Sequence, residues 1–479
     1  MLPEPQLDEP KLASGKDTDK DSFRDSLSSV DSKGHRVYFY PKKPAGRYYN
    51  SRIWLSYLLM GLLFAGPHLR VNGHPLMLFN ILERKFILFG VAFWPQDFKI
   101  LFLGFITLVV GIVLFTAIKG RLFCGWICPQ TIFMEMLFRR IEYAIDGDRP
   151  AQRKLAVMPW NNPYKLKKRS LKFVLFFIIS SLIAHTFLAY LIGSERVWLL
   201  VRNPISDNPG IFLSLILFTL VFFGVFWWFR EQVCTIVCPY GRLQGVLLDP
   251  NSTQVAYDVV RGEPRGKHGR HRQTNLGDCI ECAQCVEVCP TGIDIRNGSQ
   301  LECINCTACM DACDAVMDSV KKARGLIRYD SELGIQRQTS NLWRPRILLY
   351  SLLLGVLVVS FAFLMLTRTV TETSVLRARG QVPQHMADGR TSNLFMVKTI
   401  NKSFEEMPVE FVLTSPTGSL SMVGGSFSIP PQGYREGAFF IYFPSDSTQS
   451  KPPFHSIPIT IEVRSGNKIL ERAHSQFQY

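Results

Sequence analysis

Residues 279–290 read CIECAQCVEVCP, and residues 303–314 read CINCTACMDACD. Cys279, Cys282, Cys285 and Cys289, followed by Pro290, have the spacing of a bacterial ferredoxin run; Cys303, Cys306, Cys309 and Cys313 repeat it with Asp314 in place of the proline. Three thiolates two residues apart can wrap three corners of one cubane, so the fourth ligand must come from elsewhere. In two-cluster ferredoxins the last Cys of each run crosses to the other cluster. The spacing therefore predicts two 4Fe-4S clusters, one on Cys279, Cys282, Cys285 and Cys313, the other on Cys303, Cys306, Cys309 and Cys289. A pair of zinc knuckles is the competing reading, but zinc sites usually show paired CxxC elements separated by longer loops.

Working outward, the 479 residues suffice for several domains, and 47% are hydrophobic, with 35 Phe distributed unevenly. That unevenness predicts a membrane protein. The formal net charge of +15 would suggest a nucleic-acid binder, but the basic residues lie beside apolar runs, the pattern of charge retained on the cytoplasmic side of a bilayer. No nucleic-acid partner is expected. All 12 Cys fall between residues 124 and 313, which places cluster assembly in a reducing, cytosolic compartment. The first apolar run starts only near Ile53, so no cleavable signal peptide is read.

Residues 1–35 are polar and read as a disordered cytoplasmic tail. Apolar spans are predicted at Ile53–Leu69, Ile100–Ile118, Leu171–Ile192, Ile211–Phe229 and Ile347–Leu366. Phe86–Trp94 is too short to cross and is expected in the membrane interface. The fold class expected is thus a mainly α membrane protein with five transmembrane helices, an inserted cytoplasmic two-cluster ferredoxin domain and a C-terminal immunoglobulin-like β-sandwich. Its parts are a four-helix membrane domain over 36–248, linker and ferredoxin domain over 249–345, a fifth helix over 346–369, and the sandwich over 370–479. The sandwich is read from short alternating segments such as PVEFVLT and IPITIEV, separated by turn residues. Five spans with the N-terminus inside put the sandwich outside.

Four Cys remain, in two copies of CxxxCP: Cys124, Cys128 and Pro129, then Cys234, Cys238 and Pro239, offset by 110 residues at each position. Each follows the second member of a pair of spans, so the unit is an internal duplication. The proline places Cys128 and Cys238 at helix N-termini, where the helix dipole, with Arg121 and Arg242 nearby, is expected to favour thiolate. The helix behind the first copy, QTIFMEMLFRRIEYAI, is expected on the membrane surface. Four such thiols suit a soft metal, Cu(I) above all. They could equally be packing residues, a dithiol–disulfide pair, or the lining of a quinone pocket. His185, inside a span, is expected to make a packing hydrogen bond, and Met134, Met136 and Met310 to be core. From Asp278 to Asp318 eight acids face one base, Arg296, which is either a docking surface for a basic redox partner or a solvated face.

FCGWICPQTIF, EQVCTIVCPYGRLQ, the RGEPRG linker and the two ferredoxin runs, in that order, closely resemble the FixG/RdxA/CcoG family over roughly residues 36–479. These are bacterial inner-membrane, ferredoxin-type accessory proteins for assembly of the cbb-type haem-copper cytochrome oxidase. The resemblance implies a cupric reductase that converts Cu(II) to Cu(I), with Cys124, Cys128, Cys234 and Cys238 as the catalytic copper ligands. It implies the eight ferredoxin cysteines as cluster ligands, a periplasmic immunoglobulin-like domain, and oxidase subunits or copper chaperones as partners beside the lipid bilayer and an unidentified electron donor. A quinol-linked ferredoxin and a non-enzymatic assembly factor are the alternative functions.

Overall fold

The structure is a computed structural model that describes residues 28–30, 33, 35–71, 73–81, 85–202, 209–266, 276–337, 344–387, 389–443 and 456–478. Residues 1–27 of the expected tail and 267–275 of the basic linker lie outside the described residues. Ser28 is described and attached: its hydroxyl donates to the Thr291 carbonyl at 2.8 Å and its N–H to Glu302 at 3.3 Å. Docked chain therefore begins before residue 36.

Among the described residues five long helices follow in order: α1 (Arg47–Ala65), α2 (Phe98–Lys119), α3 (Pro163–Ile192), α4 (Pro209–Gly224) and α5 (Pro345–Leu366). Among the described residues four helical stretches are long and apolar enough to cross a membrane: Pro95–Lys119, Pro163–Ile192, Phe212–Phe229 and Pro345–Leu366. Helix α1 falls short of that standard because its first turns serve another purpose. Its Tyr48 and Tyr49 N–H groups donate to the Asp311 carboxylate at 3.1 and 2.7 Å, an acid at a helix N-terminus, and Arg52 one turn later is buried. Helix α3 starts with Asn162 accepting from the Tyr164 N–H at 2.9 Å and with Pro163 in its first turn.

The chain divides into two compact units, residues 1–78 with 104–358, and residues 79–103 with 359–479. In the first, the segment after Cys128 departs from its expected place. Ile132, Phe133, Met134, Met136 and Phe138 are buried, in a wide π-type turn over Ile132–Phe138. Phe138 stacks on Phe226 with centroids 4.3 Å apart and meets Phe176 edge-on at 4.7 Å. The segment belongs to the bundle interior, not its surface, because its charges find partners there. Arg139 reaches Glu135 at 3.0 Å and Glu231 at 3.5 Å; Lys172 pairs with Glu142 at 2.6 Å and Asp146 at 3.0 Å; Arg230 closes on Glu142, and Arg36 on Glu231 at 3.1 Å. All these side chains are nearly excluded from solvent.

The second unit is a sandwich of strands β1 (Thr371–Arg377), β2 (Gln384–His385), β3 (Thr391–Asn401), β4 (Met407–Ser415), β5 (Ser419–Met422), β6 (Phe427–Ile429), β7 (Tyr434–Phe443), β8 (Ser456–Ser465) and β9 (Lys468–Gln478). One sheet runs β5-β7-β3-β1, with β2 also on β3, and the other β6-β4-β8-β9, all antiparallel. Alternate side chains point inward, and Phe395, Phe439, Phe443, Phe477, Ile429, Ile441 and Ile461 fill the core without a disulfide. Residues 85–93 also join this unit. They form a hairpin, Lys85–Leu88 against Val91–Phe93, turned by Phe89 and Gly90, both at positive φ. Ile87, Ala92 and Phe93 are buried, so this short apolar segment is packed strand. After it, Asp97 takes Arg368 and Lys402, each at 2.7 Å, with all three side chains largely buried. Residues 79–103 thus group with 359–479, and this clamp is one of the ties.

Two outcomes follow from these buried charges. Asp97→Ala strands Arg368 and leaves Lys402 only Glu372, and is expected to cost about 3–5 kcal/mol, read as a lower unfolding midpoint of the detergent-solubilised chain; an unchanged midpoint refutes the clamp. For Glu142, burial would raise the carboxyl pKa, but Arg230, Lys172 and Arg139 overcome it and hold the group far below the usual range. Its contribution is therefore complete above the unfolded value of about 4.3 and is lost as pH falls through the depressed folded value. Glu142→Gln is expected to lower stability at pH 7 and to flatten the acid limb of a pH–stability profile below about pH 4.

Candidate metal centre

The two ferredoxin runs fold alike. Glu281 and Ala283 in the first, and Asn305 and Thr307 in the second, all have φ between 53° and 65°. Non-glycine residues pay about 1–2 kcal/mol each for that left-handed conformation. The four occupy equivalent positions between ligating cysteines, where such kinks turn backbone N–H groups inward as nests around Fe–S sulfurs. Nothing in their residue types announces this strain. Short helices follow at Gln284–Glu287 and Ala308–Ser319.

One small, partly open cavity in this fold is bounded by Cys279, Cys282, Cys285 and Cys313, with Ile280, Ala283, Met317, Leu326 and Ile327 in its wall beside Tyr257 and Arg296. Three ligands come from one run and the fourth from the other, as the crossing pattern requires. Cys309 shares its electrostatic surroundings with Cys306, Cys303 and Cys289, which gathers the second quartet, and with Cys285 of the first. Burial pushes Cys285, Cys303 and Cys313 up to about 12 and Cys306 to about 11. Thiols so buried stay protonated unless a metal holds them as thiolates. This donor set, walled by apolar side chains, fits two 4Fe-4S clusters.

Cys128 and Cys238 stand at helix N-termini, with Pro129 and Pro239 in the first turns. Wide π-type turns lie before, within and after the motifs, at Val225–Phe229, Val233–Val237 and Ile132–Phe138, a local irregularity frequent at functional sites. Cys124 and Cys234, the first cysteine of each motif, stand apart from those N-termini. Burial raises both to about 12, and although Arg121 pulls Cys124 down, it does not prevail. Arg242 is exposed. The Cys124 thiol donates to the fully buried Gln244 at 3.0 Å. All four CxxxCP cysteines act electrostatically on Cys234 or are Cys234 itself, so the two copies converge. Among the described residues no three His, Cys, Asp or Glu side chains are close enough to enclose a single metal ion.

The converged thiols adjoin the second ferredoxin run. Cys124 and Cys234 pack against an apolar cluster of Val288, Ile304, Cys306 and Ala308, together with Cys309. The first copy also docks through its backbone: a Cβ on Gly125 would lie 2.5 Å from the Ile304 carbonyl oxygen and 2.6 Å from that of Asn305. Only glycine permits that approach. Beside it, the Trp126 indole donates to the Tyr329 hydroxyl at 2.9 Å, which donates to the Asn305 carbonyl at 3.2 Å.

Other expectations resolve more simply. His185 bonds within its own helix, its Nδ1 2.7 Å from the Ser181 carbonyl, and does not bridge spans. It also lines a cavity of about 690 Å³ with His68, Glu195 and Trp198. Met134, Met136 and Met310 are core, as read. The acidic stretch is mostly spent inside the fold. Asp278 meets Arg261 and Lys322, Glu287 meets Arg149, Asp294 meets Arg296, and Asp318 meets Arg324. Asp311, Asp314 and Glu302 accept backbone N–H groups, and Glu281 is exposed.

Comparison with known proteins agrees with this geometry. A family model described as a 4Fe-4S dicluster domain matches residues 229–332, a 4Fe-4S binding domain matches 101–146, and an IG-like fold at the C-terminal of FixG matches 361–479. Protein RdxA of Cereibacter sphaeroides is 33% identical over 82% of this chain and 85% of its own. Protein RdxB of the same organism is 32% identical over 83% and 87%, and the nitrogen fixation protein FixG of Rhizobium meliloti 31% over 81% and 82%. With two ferredoxin runs, apolar helices, a C-terminal sandwich and such relatives over four-fifths of its length, the chain belongs to the FixG/RdxA family of membrane-associated iron–sulfur electron-transfer proteins.

Proposed function

We propose that this chain is a cupric reductase, delivering Cu(I) for assembly of a cbb-type haem-copper oxidase. Cys279, Cys282, Cys285 and Cys313 hold one cluster, and Cys303, Cys306, Cys309 and Cys289 the other; Cys124, Cys128, Cys234 and Cys238 receive copper as substrate. The observation that carries the reading is the packing of Cys124 and Cys234 against the apolar cluster that contains Cys306, on which Cys309 also packs. It sets soft ligands beside the group that delivers electrons. The clusters supply one-electron transfer when bound, and each Cu(II) takes one electron, from a reduced donor protein, to become Cu(I). Reduction turns a borderline ion into a soft one that thiolates favour. A protonated, buried Cys124 releases its proton as it takes the ion.

Helix α1 is the fifth span in this proposal, its apolar half following Arg52. The basic residues of the 119–169 loop then lie on the cytoplasmic side and the sandwich in the periplasm. There the sandwich is available to oxidase subunits or copper chaperones, while a separate exporter carries Cu(I) outward.

Anaerobic stopped-flow tests the reaction: the reduced protein is mixed with Cu(II), and cluster reoxidation is followed beside a Cu(I)-chelator signal. Wild type is expected to yield one Cu(I) per electron lost, and a variant with all four CxxxCP cysteines changed to Ala to react at least tenfold more slowly with its clusters intact. Equal rates would remove the thiols from the reaction, and reoxidation by quinone but not by copper would favour the quinol-linked reading. The crossing is tested separately. Cys313→Ser is expected to alter the same EPR signal as Cys282→Ser and a different one from Cys306→Ser; a Cys313→Ser spectrum matching Cys306→Ser refutes the assignment.

A further inference from the structure

Arg52 and Arg121 are buried, 3% and 5% exposed, and among the described residues neither forms an ion pair. Both donate to main-chain carbonyls. Arg52 Nε donates to Gly125 at 2.9 Å and its Nη1 to Cys306 at 2.9 Å. Arg121 donates to Leu301 and Gly241, and reaches the Cys303 carbonyl at 3.5 Å. Glu302 is felt by Arg121 but lies beyond ion-pair distance and accepts the Ser28 N–H. Both cations therefore sit on ligand residues of the Cys289, Cys303, Cys306 and Cys309 quartet. The other quartet differs. Arg296 there is held by Asp294 at 2.8 and 2.6 Å, and Arg261 by Asp278 at 2.5 Å, with Lys322 sharing Asp278 at 3.2 Å, so each of these cations lies against a carboxylate.

Reduction adds one negative charge to a cluster, and an uncompensated buried cation stabilises that charge strongly where the local dielectric is low. We propose that Arg52 and Arg121 raise the reduction potential of the cluster held by Cys289, Cys303, Cys306 and Cys309 above that of its neighbour, and so fix the direction of electron flow. An electron from an external one-electron donor enters at the quartet with the exposed Cys282 and moves toward the quartet beside the CxxxCP thiols. No bond changes; one cluster loses the electron and the other gains it. Only the final destination rests on the copper reading.

The test is an anaerobic potentiometric titration of the purified full-length, cluster-loaded protein, followed by EPR. Two midpoints are expected in wild type, and Cys306→Ser should perturb the higher one. Arg52→Gln and Arg121→Gln should each lower that midpoint, changing the reduced-to-oxidised ratio at fixed potential about tenfold, or ~59 mV for one electron, and leave the other midpoint in place. Arg52→Lys, which keeps the charge, should stay near wild type. The proposal is overturned if Cys306→Ser perturbs the lower midpoint, which needs no Arg variant to fold. It is also overturned if Gln shifts both midpoints or neither, or if Lys behaves as Gln at matched iron content. Loss of copper reduction with these shifts intact would refute the function and not this inference.

Discussion

Charge burial between the two copies of the repeat is the constraint on which the site depends. Glu135, Arg139 and Glu142 come from the helix after the first CxxxCP, and Arg230 and Glu231 from the turn just before Cys234. Ions taken out of water cost several kcal/mol each, and only close, complementary partners offset this. Such a network tolerates few arrangements. It therefore fixes the Cys234 segment against the helix that begins at Cys128, and the approach of the four thiols follows from it. The aromatic packing of Phe138 between Phe176 and Phe226 supports the same alignment, but apolar contacts alone would permit slippage.

The parts of this architecture that sequence reveals are those whose chemistry is local. Cubane ligation demands a fixed Cys spacing, so both ferredoxin runs could be read directly. Long apolar runs identify α2, α3, α4 and α5, and period-two alternation identifies the sandwich. What could not be read depends on partners far along the chain. The 130–145 segment has the pattern of a surface helix until Arg230, Glu231 and Lys172 are known to face it. The hairpin at 85–93 belongs with the sandwich because Asp97 meets Arg368 and Lys402, some 270 and 300 residues later. Likewise the acidic stretch at 278–318 is partnered by Arg149, Arg261, Lys322 and Arg324, all of which lie outside it in sequence.

The thiol chemistry shows the same limit in energetic form. A helix N-terminus contributes at most a few tenths to about 2 kcal/mol to a nearby negative charge, whereas burial in apolar surroundings acts on the thiolate at full strength. Sequence displays the proline that makes the N-terminus but not the burial. Burial prevails at Cys124 and Cys234, the cysteines of each motif that do not stand at a helix N-terminus.

Duplication gave this protein two equivalent motifs, and the fold uses them unequally. The first copy has Gly125 and Trp126 between its cysteines, where the second has Thr235 and Ile236. Gly125 admits the backbone of Ile304 and Asn305, Trp126 ties to Tyr329, and Arg52 crosses from α1 to join the Gly125 and Cys306 carbonyls. A side chain at residue 125 would separate these surfaces by the thickness of a methyl group and would break the shared Arg52 contact with them. The second copy, lacking this dock, is positioned instead by the ion network at Arg230 and Glu231 and by Arg121 at Gly241. One copy is thus fastened to the ferredoxin core and the other to the first copy, which orders the path from cluster to thiols through residues that the repeat itself does not share.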